Sequence, residues 1–312
     1  MITAFLLKSL DLDVSPALKR TIVGEDPSAA LEAVLEDLRD NVHDFFDFRD
    51  ATVEPFSAIV SQVLVSELMD AQDILDWALR VSTVVSRIKR EDLREGPISG
   101  RGREAVKVMG RVLQVSRLRK LLNNVPDHDQ RILRMYEEAR LVPELNAEPL
   151  FWLQFAILLD SPEGDLEQLT QALEHIRSAY DRAESNAGYQ TYQLDTYHMR
   201  LLLHIEMHRD TPMEDIGLWQ EIVQLLEKFG AMLRDADHRD FVIRVLAEIE
   251  PFVGKRSDCM GAKNILILKE QLRSIVQALN DLPAPAKEES GVEPVRFSLL
   301  RSIHQLGLTG RN

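Results

Sequence analysis

Residues 148–184 read EPLFWLQFAILLDSPEGDLEQLTQALEHIRSAYDRAE. The first part, Leu150 to Leu159, is an apolar run broken only by Gln154, and the second carries Ala172, Ile176 and Ala179 at helical spacing. Helices are therefore expected at 149–160 and 165–185, joined by a turn around Ser161 to Asp165. Working outward, apolar residues recur every three or four positions almost everywhere. Downstream the pattern predicts helices at 189–208, 213–235, 238–253 and 262–280. Upstream it predicts 127–140 and 103–122, and a stripe of Ile74, Leu75, Ala78, Leu79, Ser82 and Val85. Further stripes run through Ser28 to Phe48 and Pro55 to Met69, with Asp70 and Asp73 closing one helix and capping the next. Glu91 to Gly102 reads as a loop, because three glycines and a proline fall within residues 96–102. No strand alternation exceeds about four residues. The expected fold class is all-α.

The quoted stretch also carries the spacing of a helix-pair repeat. A tetratricopeptide pair sets a large aromatic early in its first helix, small residues at the crossing, and an Ala-x3-large-x2-Ala pattern on its second. Trp152, Phe155 and Ala156 suit the first helix and Ala172, Ile176 and Ala179 the second, although Trp152 to Ala172 spans 20 residues where about 16 is usual. The expectation is antiparallel helix pairs stacked as a degenerate tetratricopeptide-like superhelix. Three regions follow: helices over 1–125, repeats over 126–282, and a tail over 283–312. In the tail, Pro283 to Gly291 has the composition of a flexible linker, and Val295 to Leu306 predicts a short helix with Phe297, Leu300, Ile303 and Leu306 on one face.

Composition limits what such a chain can be. It has 312 residues, 45% hydrophobic and 28% charged, with 37 Lys and Arg against 51 Asp and Glu, for a net charge of −14. A chain of this kind buries a core and is not wholly disordered. The apolar run at 150–159 is about half the length of a membrane span, and Phe5-Leu6-Leu7 lacks a basic lead-in, so a cytoplasmic protein without membrane contact is expected. The lone Cys259 is read as a spectator thiol.

Charge is unevenly distributed. Residues 80–120 hold 12 Lys and Arg against Glu91, Asp92, Glu95 and Glu104, a local +8 that leaves −22 for the rest. Arg103, Lys107 and Arg111 fall one turn apart on a single helix face, with Arg101 just ahead of them. These four are the candidate partner-binding residues. The basic face is read as solvated or paired with the chain's own Glu25 to Asp50 segment, or as a docking face for a protein partner; the alternative is a nucleic-acid-binding regulator that neutralises backbone phosphates. No aromatic residues interleave with the cations to form a stacking platform.

Motifs for chemistry are lacking. Gly100-Arg101-Gly102-Arg103 follows no strand and lacks a third glycine, so it is read as loop flexibility rather than a phosphate cradle. His204 and His208 share a helix face, but Glu206 is one place too late for a zinc-hydrolase motif and His198 lies off that face. Ser57, Ser61, Ser82 and Ser116 lack a glycine-flanked elbow. Met199, Met207 and Met213, and Trp77, Trp152 and Trp219, occupy core-like positions. No catalytic residue, cofactor or metal is assigned, and the chain is read as not an enzyme.

One family resemblance can be stated on named residues. Phe151 to Ala156, Gly164 to Leu166, Ala179-Tyr180, Thr191 to Asp195 and Met199 to Leu202, followed by DHRDFVIRV at 237–245, resemble the C-terminal helical region of bacterial signal-transduction (STAND) NTPases and related sirtuin-like defence proteins. Phe48-Arg49-Asp50 with Phe56 to Leu64 is similar to the segment where such proteins leave their NTPase and winged-helix portion, with Asp50 in place of the usual histidine. The resemblance implies a non-catalytic sensor or scaffold that partners an NTPase or effector in anti-phage defence or signalling, with a winged-helix remnant within 1–125. No Gly-x4-Gly-Lys-Ser/Thr motif occurs.

Overall fold

The computed structural model describes residues 2–23, 46–49, 52–55, 61, 65, 69–160, 164–186, 189–209, 216–289 and 291–309. The fold is all-α and divides into two compact units, Met1–Leu158 and Leu159–Asn312. The sequence reading had placed its boundaries after 125 and 282. The division falls inside the 148–184 stretch, with Trp152 in the first unit and Ala172 in the second.

The first unit begins with α1 (Ile2–Ser9) and α2 (Pro16–Val23). An antiparallel ribbon of β1 (Phe46–Arg49) and β2 (Thr52–Pro55) follows, with Phe46 opposite Pro55 and Arg49 opposite Thr52. This corrects the helix expected through Phe48: Phe46 and Phe48 alternate with Asp47 and Arg49, the period of a strand. The rest of the expected 28–48 helix, and most of 55–69, lie outside the described residues.

The unit's main element is α3 (Ala71–Glu95). Asp70 caps it, accepting from the Gln72 amide, and Gly96 ends it at φ 145°, a conformation that glycine tolerates. Its buried face, including Ile74, Ala78, Val81, Val85 and Ile88, packs on α4 (Gly100–Val112), which buries Ala105, Val108, Met109 and Val112. The expected long loop at 91–102 thus shrinks to Gly96–Ser99. The expected 103–122 helix is interrupted at Leu113–Gln114, beyond which α5 (Val115–Leu121) begins. Two polar groups from other helices satisfy that break. Tyr136 on α6 (His128–Ala139) donates its hydroxyl to the Leu113 carbonyl, and Gln154 on α8 (Pro149–Leu159) accepts the Val115 amide at 3.1 Å. Between α6 and α8 lies the single turn α7 (Pro143–Asn146), whose Asn146 carbonyl accepts the Trp152 indole at 2.7 Å. Phe151 and Phe155 lie against Tyr136 with centroids 5.5 and 5.4 Å away, and α8, apolar but for Gln154, is largely enclosed.

The second unit contains α9 (Leu166–Glu184), α10 (Tyr192–His208), α11 (Ile216–Met232), α12 (Ala236–Leu246), α13 (Ile249–Arg256), a 3-10 turn at Ser257–Cys259, α14 (Ala262–Asn280), α15 (Ala284–Lys287) and α16 (Val292–Thr309). α10 packs against α9, α11, α12 and α13, and most of its side chains are buried. The helix expected at 238–253 is two helices, broken at Ala247–Glu248. The expected flexible linker is folded: Leu282, Ala286 and Val292 are buried, and buried Arg239 on α12 binds Glu289 at 2.5 Å and the Leu233 carbonyl at 2.9 Å. Nor does α16 use the expected face. It turns Val295, Ser298, Leu299, Ser302 and Leu306 inward and leaves Phe297 and Leu300 outside. The small serines allow close helix approach, and Ser302 donates to the Ser298 carbonyl at 3.1 Å, which removes its polar cost.

Candidate interaction surface

The basic ridge lies in the first unit, on α4. Ser99 caps the helix, so Gly100-Arg101-Gly102-Arg103 forms its first turn rather than a flexible loop. The anion position at this helix start is filled from within. Asp92, near the end of α3, accepts the Ser99 amide at 2.5 Å and also the Ser99 hydroxyl. Those two bonds, with the nearby charges of Arg101 and Arg103, hold its carboxyl below the usual range. The approach needs glycine, since a Cβ on Gly102 would come 2.1 Å from Asp92 Oδ2.

The four candidate residues separate into one and three. Arg101 reaches back to Thr21 on α2, 3.5 Å away. Arg103 and Lys107 are exposed and Arg111 is half-buried, at successive turns about 6 Å apart along the axis. No acidic side chain among the described residues lies within ion-pair distance of these three. The local acids are turned elsewhere: Asp92 serves Ser99, and Glu104 receives both the amide and the hydroxyl of Ser15, the latter at 2.6 Å. Four other cations of residues 80–120 are already engaged. Lys89 pairs with Glu148 at 2.5 Å, Arg87 with Glu144 at 3.4 Å and Arg119 with Asp129 at 2.8 Å, while Arg90 donates to the Pro143 carbonyl at 2.9 Å. Folding thus consumes part of the local positive charge, and Arg103, Lys107 and Arg111 stay in line on α4. The i, i+4, i+8 spacing foretold the ridge. Nothing in the spacing showed that Asp92 and Glu104 would be drawn away from it.

The second unit contains a polar network that the sequence pointed to only through its histidines. His204 stands between two carboxylates, with Nδ1 3.0 Å from Asp160 Oδ1 and Nε2 3.0 Å from Glu248 Oε2. Tyr197 donates to Asp160 at 2.8 Å, and Arg200 lies 3.5 Å from both Asp160 and Glu248. Hydrogen bonding to Asp160, then to Glu248, raises His204 to about 9 against the opposing effect of burial. Burial alone would raise the Asp160 carboxyl, but bonds from His204 and Tyr197 outweigh it and hold it low. With Nδ1 bonded to Asp160 and Nε2 facing Glu248, a protonated His204 has no lone pair with which to act as a base.

The neighbouring histidines go elsewhere. His208 donates to the His204 carbonyl at 2.9 Å, and His198 meets Glu221 at 2.8 Å, where Arg177 also binds. Glu206 is buried beside Arg209 and Arg256. Among the described residues no three His, Cys, Asp or Glu groups are placed to hold a metal ion, and no helix is long and apolar enough to cross a membrane. No family model, curated protein or solved structure matches this chain.

Proposed function

We propose that the chain is a non-catalytic, cytoplasmic helical scaffold or sensor that works by protein–protein contact, with the α4 ridge as its docking face for an acidic protein surface. The observation that carries this reading is the set of three cations, Arg103, Lys107 and Arg111, presented in line with no acidic side chain of the described residues within ion-pair distance; the expected pairing with Glu25 to Asp50 falls mostly outside the described residues. Long-range attraction from such a ridge favours a negatively charged partner and speeds encounter. The resemblance to the helical region of STAND-type defence proteins, with its tetratricopeptide-like repeats, supplies the class of partner: an NTPase or effector subunit. No nucleophile–base arrangement in the His204 network competes with a binding role.

The test is charge reversal at Arg103, Lys107 and Arg111 together, with wild-type and variant full chains compared as affinity baits in extracts of the source cells. Loss of the wild-type partner by the variant, with an unchanged circular dichroism spectrum, is expected. Retention of the same partner at unchanged strength would remove the ridge from the account. A low-salt gel shift with duplex DNA or RNA checks the nucleic-acid alternative, which requires affinity to fall with salt by roughly 0.9 log units per log unit for each phosphate neutralised.

A further inference from the structure

Beyond its first residue α4 carries two glycines, and the fold accounts for one of them. A Cβ on Gly102 would collide with the Asp92 carboxylate, so a glycine there serves the contact at the helix start. A Cβ on Gly110 would meet only Leu150 Cδ2 of α8, 3.8 Å away, an ordinary van der Waals contact. Position 110 lies inside the helix, where glycine is less favourable than alanine. Among the described residues, then, no neighbour requires glycine at 110.

Gly110 sits on the outer side of α4, beside the cations. At about 100° per residue, Arg103, Lys107 and Arg111 drift by about 40° from one to the next, and Gly110 falls about 20° from Arg103, on the side towards half-buried Val106. The buried residues Ala105, Val108, Met109 and Val112 occupy the opposite side. The crest of the helix is thus bare backbone at Gly110, with Val106 along one edge and the three cations along the other. A second helix comes closest where the facing side chain is smallest, because the distance between packed helix axes, roughly 8–10 Å, is set by the side chains at the contact. Charges then pair along the edges of the seam, as they do in coiled coils.

We infer that the partner docked on α4 presents an acidic α-helix, which packs against Gly110 and Val106 and sets carboxylates at i, i+4 and i+8 beside Arg103, Lys107 and Arg111. Carboxylates at that spacing recur about every 6 Å along a helix, the interval of the three cations. The inference rests on the proposed docking role of the ridge and adds to it the partner's secondary structure and charge spacing. A nucleic-acid duplex matches the site less well. Bare backbone at Gly110 gives it no added contact, and the chain's net charge of −14 opposes a polyanion more strongly than it opposes a few carboxylates.

Two fluorescently labelled, alanine-rich helical peptides of identical composition test it, one with glutamates at i, i+4 and i+8 and the other with the same glutamates spread around the helix. In anisotropy titrations with the full chain at low salt, the first is expected to bind at least about tenfold more tightly. Gly110→Gln fills the crest and should abolish that preference. Gly110→Ala should melt at or above the wild-type temperature, because alanine favours the helix. Reversal of Arg103, Lys107 and Arg111 should remove binding of both peptides. Equal affinity for the two peptides, with both lost on charge reversal, would overturn this inference and leave the docking role of the ridge standing. A Gly110→Gln chain that keeps the preference would overturn it, as would a Gly110→Ala chain that melts lower than wild type or a DNA duplex that binds more tightly than the first peptide. Binding of neither peptide would count against both this inference and the docking role.

Discussion

Lys89→Met is expected to be among the most damaging single changes in the first unit, although it swaps a charge for an apolar side chain of similar length. Lys89 and Glu148 are 7% and 2% exposed and meet at 2.5 Å, and Ser86 gives Glu148 its other bond at 2.9 Å. Removing the ammonium leaves a buried carboxylate with one neutral donor, a situation that costs about 3–5 kcal/mol. Glu148→Leu strands the ammonium in turn and should cost a similar amount. The double variant Lys89→Met, Glu148→Leu strands neither charge and should fall within about 1–2 kcal/mol of wild type, because a buried ion pair and a well-packed apolar pair are nearly equivalent. The singles therefore couple by several kcal/mol. For a unit of about 150 residues the single changes lower the melting temperature by roughly 6–20 °C. Urea titration followed by tryptophan fluorescence in a Trp219→Phe background reads this unit alone, since Trp77 and Trp152 both belong to it. A loss below about 1 kcal/mol in Lys89→Met, or strict additivity in the double variant, would refute the reasoning.

Alkaline pH should loosen the second unit. The folded His204 titrates near 9, above its unfolded value of about 6.5, so its contribution is complete below 6.5 and is lost as pH rises towards 9. Allowing for solvent screening at a half-buried imidazole, the loss is about 1–2 kcal/mol, and His204→Gln should flatten stability measured against pH in that window. Gln154→Leu should cost about 1–3 kcal/mol, measured by thermal melting, because the buried Val115 amide loses its acceptor. A variant as stable as wild type would mean that α5 finds another acceptor for that amide.

What the sequence disclosed depended on whether a local signal decided the outcome. The α14 bounds, 262–280, agree with the apolar period, and of the two aspartates read as closing one helix and capping the next, Asp70 is the cap while Asp73 falls in the first turn of α3. The break at Leu113–Gln114 was hidden because its satisfiers, Tyr136 and Gln154, lie 23 and 39 residues or so along the chain from their partners. The ribbon at 46–55 is shorter than strand periodicity can register against helical neighbours. On α16 the error was chemical: Ser298 and Ser302 count as polar in a pattern, yet both are buried. Arg103, Lys107 and Arg111 were legible as a line, whereas the departure of Arg101 towards Thr21 is a tertiary contact that no spacing encodes.

The Arg239 clamp bears on how the chain can be cut and spliced. PAPAKEE at 283–289 has the look of an interdomain hinge, the place where one would trim a boundary, splice in a tag or expect a protease to nick. With Glu289 bound to Arg239 and Ala286 buried, that hinge is a wall of the second unit. A product ending there would lack α16 and lay bare the apolar faces of α13 and α14 against which that helix packs, giving quality-control proteases an unroofed core.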